Sequence, residues 1–433
     1  MRRKLSAIEC MIEGNIVCMI RLEGSFQEDR LRSSLSRVQR KHPILRMLIR
    51  KEPDGLYYEE DCAPEVPLRI VPRMSEDDYK RENYMELRNV FVEDQPLLRV
   101  VWLHSEFESD LLFVTSHRIC DGMSTLTVVR EVLFALHSDE ELVPYEPITT
   151  KVMIGDYVPP HPWKRKLMAG LLNTALRLIP GSSSASENNE YTLEWGIGPS
   201  LTEALKLKCK AEGVSVHAAL VVALDRTLYK VLGKKKLPGW IESPMDVRRG
   251  RLAALKSDML FFGGGSLKMR TGQGLDEEFW TRGRAISEEI RRMVDQEMLD
   301  IPGRYSFNEL LRPVPNERIQ TMVRLGDAFH VNGSWNRIAL SNLGNVVVTD
   351  SKAPFRLKDL RVYVHSFNFR VLGMVAYALN GEMRFYFGGD EKCLSRSQSN
   401  AIKQEFMALL QQQVKPLNSD TKDLPLMATA VAQ

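Results

Sequence analysis

Between residues 96 and 136 the hydrophobic pattern changes period, and that switch limits the possible folds more than any other feature of the chain. Residues 96–104 and 111–115 are apolar runs joined by a polar turn at 106–110, which predicts two paired strands. Past Gly122, Leu126, Val129, Leu133 and Leu136 recur at helical spacing and mark a helix with one buried stripe. The same grammar precedes this segment. Residues 15–22 are mostly apolar and closed by Gly24, and Leu31, Leu35 and Val38 form a helix face that stops at His42-Pro43. Residues 44–49 and the segment beginning at Tyr57-Tyr58 read as strands. Such alternation predicts an α/β sandwich.

The pattern lapses after residue 150. Pro159-Pro160-His161-Pro162 breaks the chain, a basic amphipathic segment spans 164–178, and a serine-rich stretch covers 181–186. This is expected to be an inter-domain crossover. Its basic helix could touch a membrane surface, but the expectation is that it covers a hydrophobic patch on its own protein. Beyond it, Ser200 with Glu203 forms a capping-box signature for a helix ending near Gly213. Ser215 opens another, carrying Leu220, Leu224 and Leu228 along one face. Strands are predicted at 239–245, 259–269, 337–341, 374–380 and 383–387. Helices are predicted at 275–294 and around Ile402, Phe406, Leu409 and Leu410. A chain of 433 residues suits two or three domains, and its two halves suggest two related sandwiches facing each other.

Charge excludes little except nucleic acid: 59 Lys+Arg against 56 Asp+Glu leave a net +3 and no reason to expect a polyanionic partner. The basic runs Lys234-Lys235-Lys236 and Arg248, Arg249, Arg251 are either solvated surface or a landing place for phosphates. Cys10, Cys18, Cys62, Cys120, Cys209 and Cys393 show no Cys-x-x-Cys spacing, so no zinc site or disulfide framework is expected. With no long apolar run and no signal-peptide pattern, the expected location is the reducing cytoplasm. Gly263-Gly264-Gly265 lacks the Lys-Ser/Thr of a P-loop and reads as a turn or bulge. No Gly-x-Ser-x-Gly elbow offers a serine nucleophile.

The chemistry concentrates at His117-Arg118-Ile119-Cys120-Asp121-Gly122, a junction between an apolar strand and a helix. A side chain there is held rigidly and points away from the core. Histidine suits a general base, because one ring nitrogen takes a proton while the other is held. Asp121 can fold back beneath the imidazole, and Gly122 leaves an amide N–H unobstructed for a developing oxyanion. Chance alone would produce this spacing about 0.03 times in a chain of this composition. Among other histidines, His42 reads as a helix-end residue, His217 as packing or capping, and His365 as a residue that could face a tunnel.

His117–Gly122 resembles the His-x-x-x-Asp-Gly signature of the condensation-domain and chloramphenicol-acetyltransferase-like acyltransferases. The likeness extends to Arg21 and His42-Pro43-Ile44-Leu45-Arg46, to Ser215-Val216-His217-Ala218-Ala219, to Pro244-Met245-Asp246-Val247-Arg248 and to Ser341-Asn342-Leu343-Gly344-Asn345. Bacterial alcohol O-acyltransferases and mycobacterial polyketide-associated acyltransferases are the nearest branches. The resemblance implies two acyltransferase-like subdomains in a V-shaped pseudo-dimer with a central tunnel. Their bounds would be 1–155 and 199–433, with a crossover at 156–198.

It further implies His117 as the base, Asp121 as a structural residue paired with Arg248, and Gly122 lining the site. Ser341 and Asn342 would contribute polar groups. The donor would be acyl-CoA or a phosphopantetheine-linked acyl carrier protein, with no bound cofactor and no metal. The acceptor would be a hydroxyl, in a monomer without membrane contact. Amide formation between carrier-bound partners is the alternative, and a non-catalytic binding member of the fold a third reading. Two features depart from relatives: Ser116 stands where many carry a first histidine, and Phe387-Gly388-Gly389-Asp390 replaces the plant branch's Asp-Phe-Gly-Trp-Gly.

Overall fold

A computed structural model describes the chain apart from residues 1, 7–8, 11, 53–54, 61–62, 93, 148–149, 182–188, 249–254, 316–317, 320, 323–324, 326–336, 368–371 and 415–433. Cys62, Arg249, Arg251, most of the serine-rich stretch and Asn368 therefore lie outside the described residues.

The first half runs β1 (Arg2–Lys4), β2 (Gly14–Glu23), α1 (Glu28–Lys41), β3 (Leu48–Glu52), β4 (Gly55–Glu59), β5 (Leu68–Pro72), α2 (Asp78–Arg88), β6 (Leu98–His104), β7 (Glu108–Ser116) and α3 (Gly122–His137). After α4 (Thr150–Ile154) and α5 (Pro162–Leu178) come β8 (Glu190–Ile197), α6 (Pro199–Ala211), α7 (Val216–Leu232), β9 (Trp240–Pro244), β10 (Ser266–Arg270) and α8 (Phe279–Asn308). The chain closes with β11 (Arg337–Asn345), β12 (Arg356–Ser366), β13 (Gly373–Leu379), β14 (Glu382–Asp390) and α9 (Arg396–Gln413).

Two mixed sheets dominate, ordered β12-β2-β7-β6-β5 and β10-β9-β11-β13-β14-β8, beside a small β1-β4-β3 sheet. Both faces of the first large sheet are buried, which explains why its strands read as continuous apolar runs. Ile16, Cys18 and Ile20 of β2 join Phe113 of β7 under α1 and α3, contributed by Leu35, Val38, Leu126 and Val129. The alternate residues Val17, Met19, Leu112 and Val114 face the other way, toward Tyr79 and Leu87 of α2 and toward Tyr363 and Tyr386. A second core packs Leu220, Leu224 and Leu228 of α7 with Phe406 and Leu410 of α9 against Met374, Phe385 and Phe387.

Mixed α/β sheets and helices are what the periodicity predicts, with local differences. Residues 44–49 are not one strand: a 3-10 turn takes Pro43–Arg46 before β3, because proline's fixed φ suits the first position of a helical turn. Ser200 and Glu203 do not cap α6, which begins at Pro199 after Gly198 without a side-chain cap, for the same reason. Of residues 259–269 the ladder holds 266 onward. The helix predicted at 275–294 is α8, which continues through Pro302 to Asn308.

Two further differences matter for the site. β12 belongs by sequence to the segment 199–433, yet it pairs antiparallel with β2 from Arg356↔Glu23 to Ser366↔Gly14 and completes the first sheet. And α5 does not bury an apolar stripe: Trp163, Leu167, Met168 and Leu171 face solvent.

Candidate active site

β7 ends at Ser116, and the backbone turns at once: the Ile119 N–H donates to the Ser116 carbonyl at 3.2 Å. The His117 N–H donates to the Gly14 carbonyl at 2.8 Å, so the neighbouring strand β2 fixes the histidine's backbone. Its Nδ1 lies 2.8 Å from the Cys120 carbonyl oxygen. A carbonyl can only accept, so Nδ1 carries the proton and Nε2 is left with a free lone pair. The ring meets Phe262 edge-on, with centroids 5.3 Å apart and planes at 89°. It keeps an accessible edge while protein surrounds it, and burial draws its pKa below the usual histidine value. The Cys120 hydrogen bond and the Asp121 charge oppose that shift without cancelling it. A neutral imidazole with Nε2 available is the form in which a base works.

Asp121 turns out to hold the loop in two ways. It is the N-cap of α3, accepting from the Ser124 N–H at 2.8 Å. It also takes a two-pronged contact from Arg248, whose Nη1 and Nη2 donate to Oδ2 at 2.8 Å and Oδ1 at 2.9 Å. Arg248 spends its remaining donors nearby, on Asp246 at 2.8 Å, the Met259 and Phe261 carbonyls at 2.8 Å each, and the Ser124 hydroxyl. Its side chain is 1 % exposed, and the flanking carboxylates push its pKa up despite burial. The reading of Arg248 as surface or as a phosphate contact is thereby corrected: every donor is satisfied inside the fold. Lys234, Lys235 and Lys236 do form an exposed turn.

Gly122 is the first residue of α3, so helix geometry leaves its N–H without an intrahelical acceptor. A Cβ there would lie 3.1 Å from Leu343 Cδ2, so glycine lets the end of β11 approach the motif. Met123 and Leu343, on either side of this contact, line a cavity of about 750 Å³ whose walls are α3 and residues 342–355. Asn342 also lines it, with Oδ1 accepting from the Gly344 N–H at 3.0 Å. Ser341 is half-buried in β11 opposite Val375.

Sequence reading missed Ser124, which links Arg248 to the segment before β10 by accepting from the Phe261 N–H at 3.0 Å. The signal was a small hydroxyl three residues past the N-cap. Phe262 was missed as well, because nothing in sequence says it will cross to His117. The triple glycine is a close approach: a Cβ on Gly263 would overlap Val247 at 2.4 Å. His42 pairs with Glu131 at 2.7 Å, and His217 meets the Ser243 hydroxyl at 2.9 Å with its pKa lowered to about 4 by burial. His365 Nδ1 lies 3.0 Å from a Glu190 carboxylate oxygen. It shares a register row with Asn15 and Ser116, two strands from the residue that departs from the family pattern.

A family model described as the Condensation domain matches residues 14–149, the stretch that carries His117 and Asp121. No curated protein sequence matches the chain. Solved structures do, at low identity. The first condensation domain of the CDA synthetase superposes with a TM-score of 0.66 at 14% identity, covering 99% of this chain and 99% of that one. Polyketide synthase associated protein 5 from Mycobacterium tuberculosis gives 0.64 at 12%, covering 95% and 98%. Trichothecene 15-O-acetyltransferase from Fusarium sporotrichioides gives 0.66 at 9%, covering 95% and 95%. The chain thus has the condensation-domain fold, and it resembles the condensation and chloramphenicol-acetyltransferase-like acyltransferases as residues 117–122 imply.

Proposed function

We propose that this protein is an acyltransferase that moves an acyl group from a thioester, acyl-CoA or acyl carrier protein, to an acceptor hydroxyl. The observation that carries the reading is the fixed tautomer of His117, neutral and with Nε2 free. In the proposed reaction Nε2 takes the hydroxyl proton as the oxygen attacks the thioester carbonyl. The tetrahedral oxyanion would be met by the N–H of Gly122, which has no intrahelical acceptor at the helix start, with Asn342 as a second candidate donor. The carbon–sulfur bond then breaks, and the imidazolium returns its proton to the departing thiolate. Asp121 and Arg248 would not touch substrate; they hold the turn that aims His117.

Amide formation between carrier-bound partners stays as a second reading because the matching family model is the Condensation domain. The discriminating experiment offers purified protein a panel of free acyl-CoA donors with alcohol acceptors and reads products by intact mass. Ester formed from free acyl-CoA supports the proposal. Turnover confined to carrier-bound donors and amine acceptors would replace it with the second reading.

A further inference from the structure

Helix α5 is held by one face. Asn173 Nδ2 donates to the Leu310 carbonyl at 3.0 Å while its Oδ1 accepts from the Arg312 N–H at 2.8 Å. Arg165 donates to the Tyr157 hydroxyl at 2.9 Å and to the Gly303 carbonyl, and Ala169 is buried between them. At 100° per residue, positions 165, 169 and 173 fall within an arc of about 80°.

The opposite face is apolar and open. Trp163 is 63% exposed, Leu167 58%, Met168 56%, Leu171 65% and Leu178 79%. Lys164, Lys166 and Arg177 are exposed around them. From residue 157 to residue 186 the sequence contains neither Asp nor Glu. An apolar strip of this kind on a charged protein surface marks an interaction site.

Two features together choose the occupant. An acidic protein would answer the lysines and the arginine. Large apolar side chains spread along a helix about 25 Å long, with cations flanking them, suit a continuous apolar medium edged by anionic headgroups. Trp and Leu on one side, cations beside them and no acid form the pattern of a helix lying in a bilayer interface. We propose that α5 seats the protein on an anionic membrane surface. Trp163, Leu167 and Leu171 enter the boundary between headgroups and acyl chains, and Lys164, Lys166 and Arg177 meet the lipid phosphates. The helix lies on the membrane: no helix among the described residues is long and apolar enough to cross one. This inference stands independently of the reaction proposed above.

The test is flotation of the full chain with vesicles of phosphatidylcholine, alone or mixed with phosphatidylserine. The protein should float with the mixed vesicles and bind them less at high salt. Leu167→Glu with Leu171→Glu should reduce binding by at least about tenfold, and Lys164→Glu with Lys166→Glu should abolish the preference for phosphatidylserine. Both variants should keep the native circular dichroism and melting temperature, because those side chains face solvent. Equal flotation of native protein and the leucine variant overturns the proposal, as does no flotation with either vesicle. So does a self-associated native protein that Leu171→Glu turns into monomers, since the face would then pair copies of the chain.

Discussion

An imidazole whose Nδ1–H is committed to the Cys120 carbonyl can act on an acceptor through Nε2 alone. In the proposed reaction its ionisation sets the acid side of the activity. Burial lowers the His117 pKa, so the neutral base persists to lower pH than in a free histidine. Activity should fall as pH drops through that lowered value, because protonation fills the Nε2 lone pair. The acidic limb of kcat/KM is therefore expected below the ordinary histidine value of about 6.5. A pH–rate profile on the native protein checks this, and a limb above that value that vanishes with His117→Gln would contradict it. Ser116 is buried at the end of β7, on the strand face it shares with Val114, which clusters with Tyr79 and Leu87 of α2. Its departure from the family pattern leaves the contacts of His117 in place.

The element most dependent on side-chain chemistry is the start of α3. Asp121 caps it, while Arg248 ties it to Asp246 and to the carbonyls of Met259 and Phe261. Arg248→Ala removes the cation that Asp121 and Asp246 share, a change worth about 3–5 kcal/mol. Asp121→Asn should be milder, about 1–2 kcal/mol, since asparagine still caps a helix and Asp246 still partners the arginine. Urea unfolding of the two variants measures the difference. No penalty in Arg248→Ala would show that the pair does not anchor the turn. Helices and strands here were legible wherever one period ran long enough, as in β7, α3 and α7. Starts and stops were not: Pro43 and Pro199 each moved a boundary that the apolar pattern had placed elsewhere.

At the scale of the molecule, contacts between distant segments decide the site. Arg248 reaches Asp121 across 127 positions, and Lys41 joins Glu131 to Asp258, which Tyr145 also holds at 2.7 Å. The Arg248 partnership was accessible from the family motif, and the motif itself from the spacing of His117, Asp121 and Gly122. The insertion of β12 into the first sheet was not accessible, because strand propensity says nothing about which sheet a strand will join. Nor was the open face of α5: periodicity finds an amphipathic helix but does not say what covers it. The cavity beside Gly122 likewise depends on Leu343 and residues 346–355 folding back onto α3.

In the proposed reaction His117 deprotonates a hydroxyl. This step is tested most directly by rates for one acyl thioester with matched alcohol and amine acceptors, using native protein and His117→Ala. A neutral amine attacks without prior loss of a proton, so it leans less on the base. His117→Ala should keep its fold and lose ester formation by about 10²–10⁴-fold, while the amine retains more of its rate. Ester formation by His117→Ala at close to the native rate would contradict it.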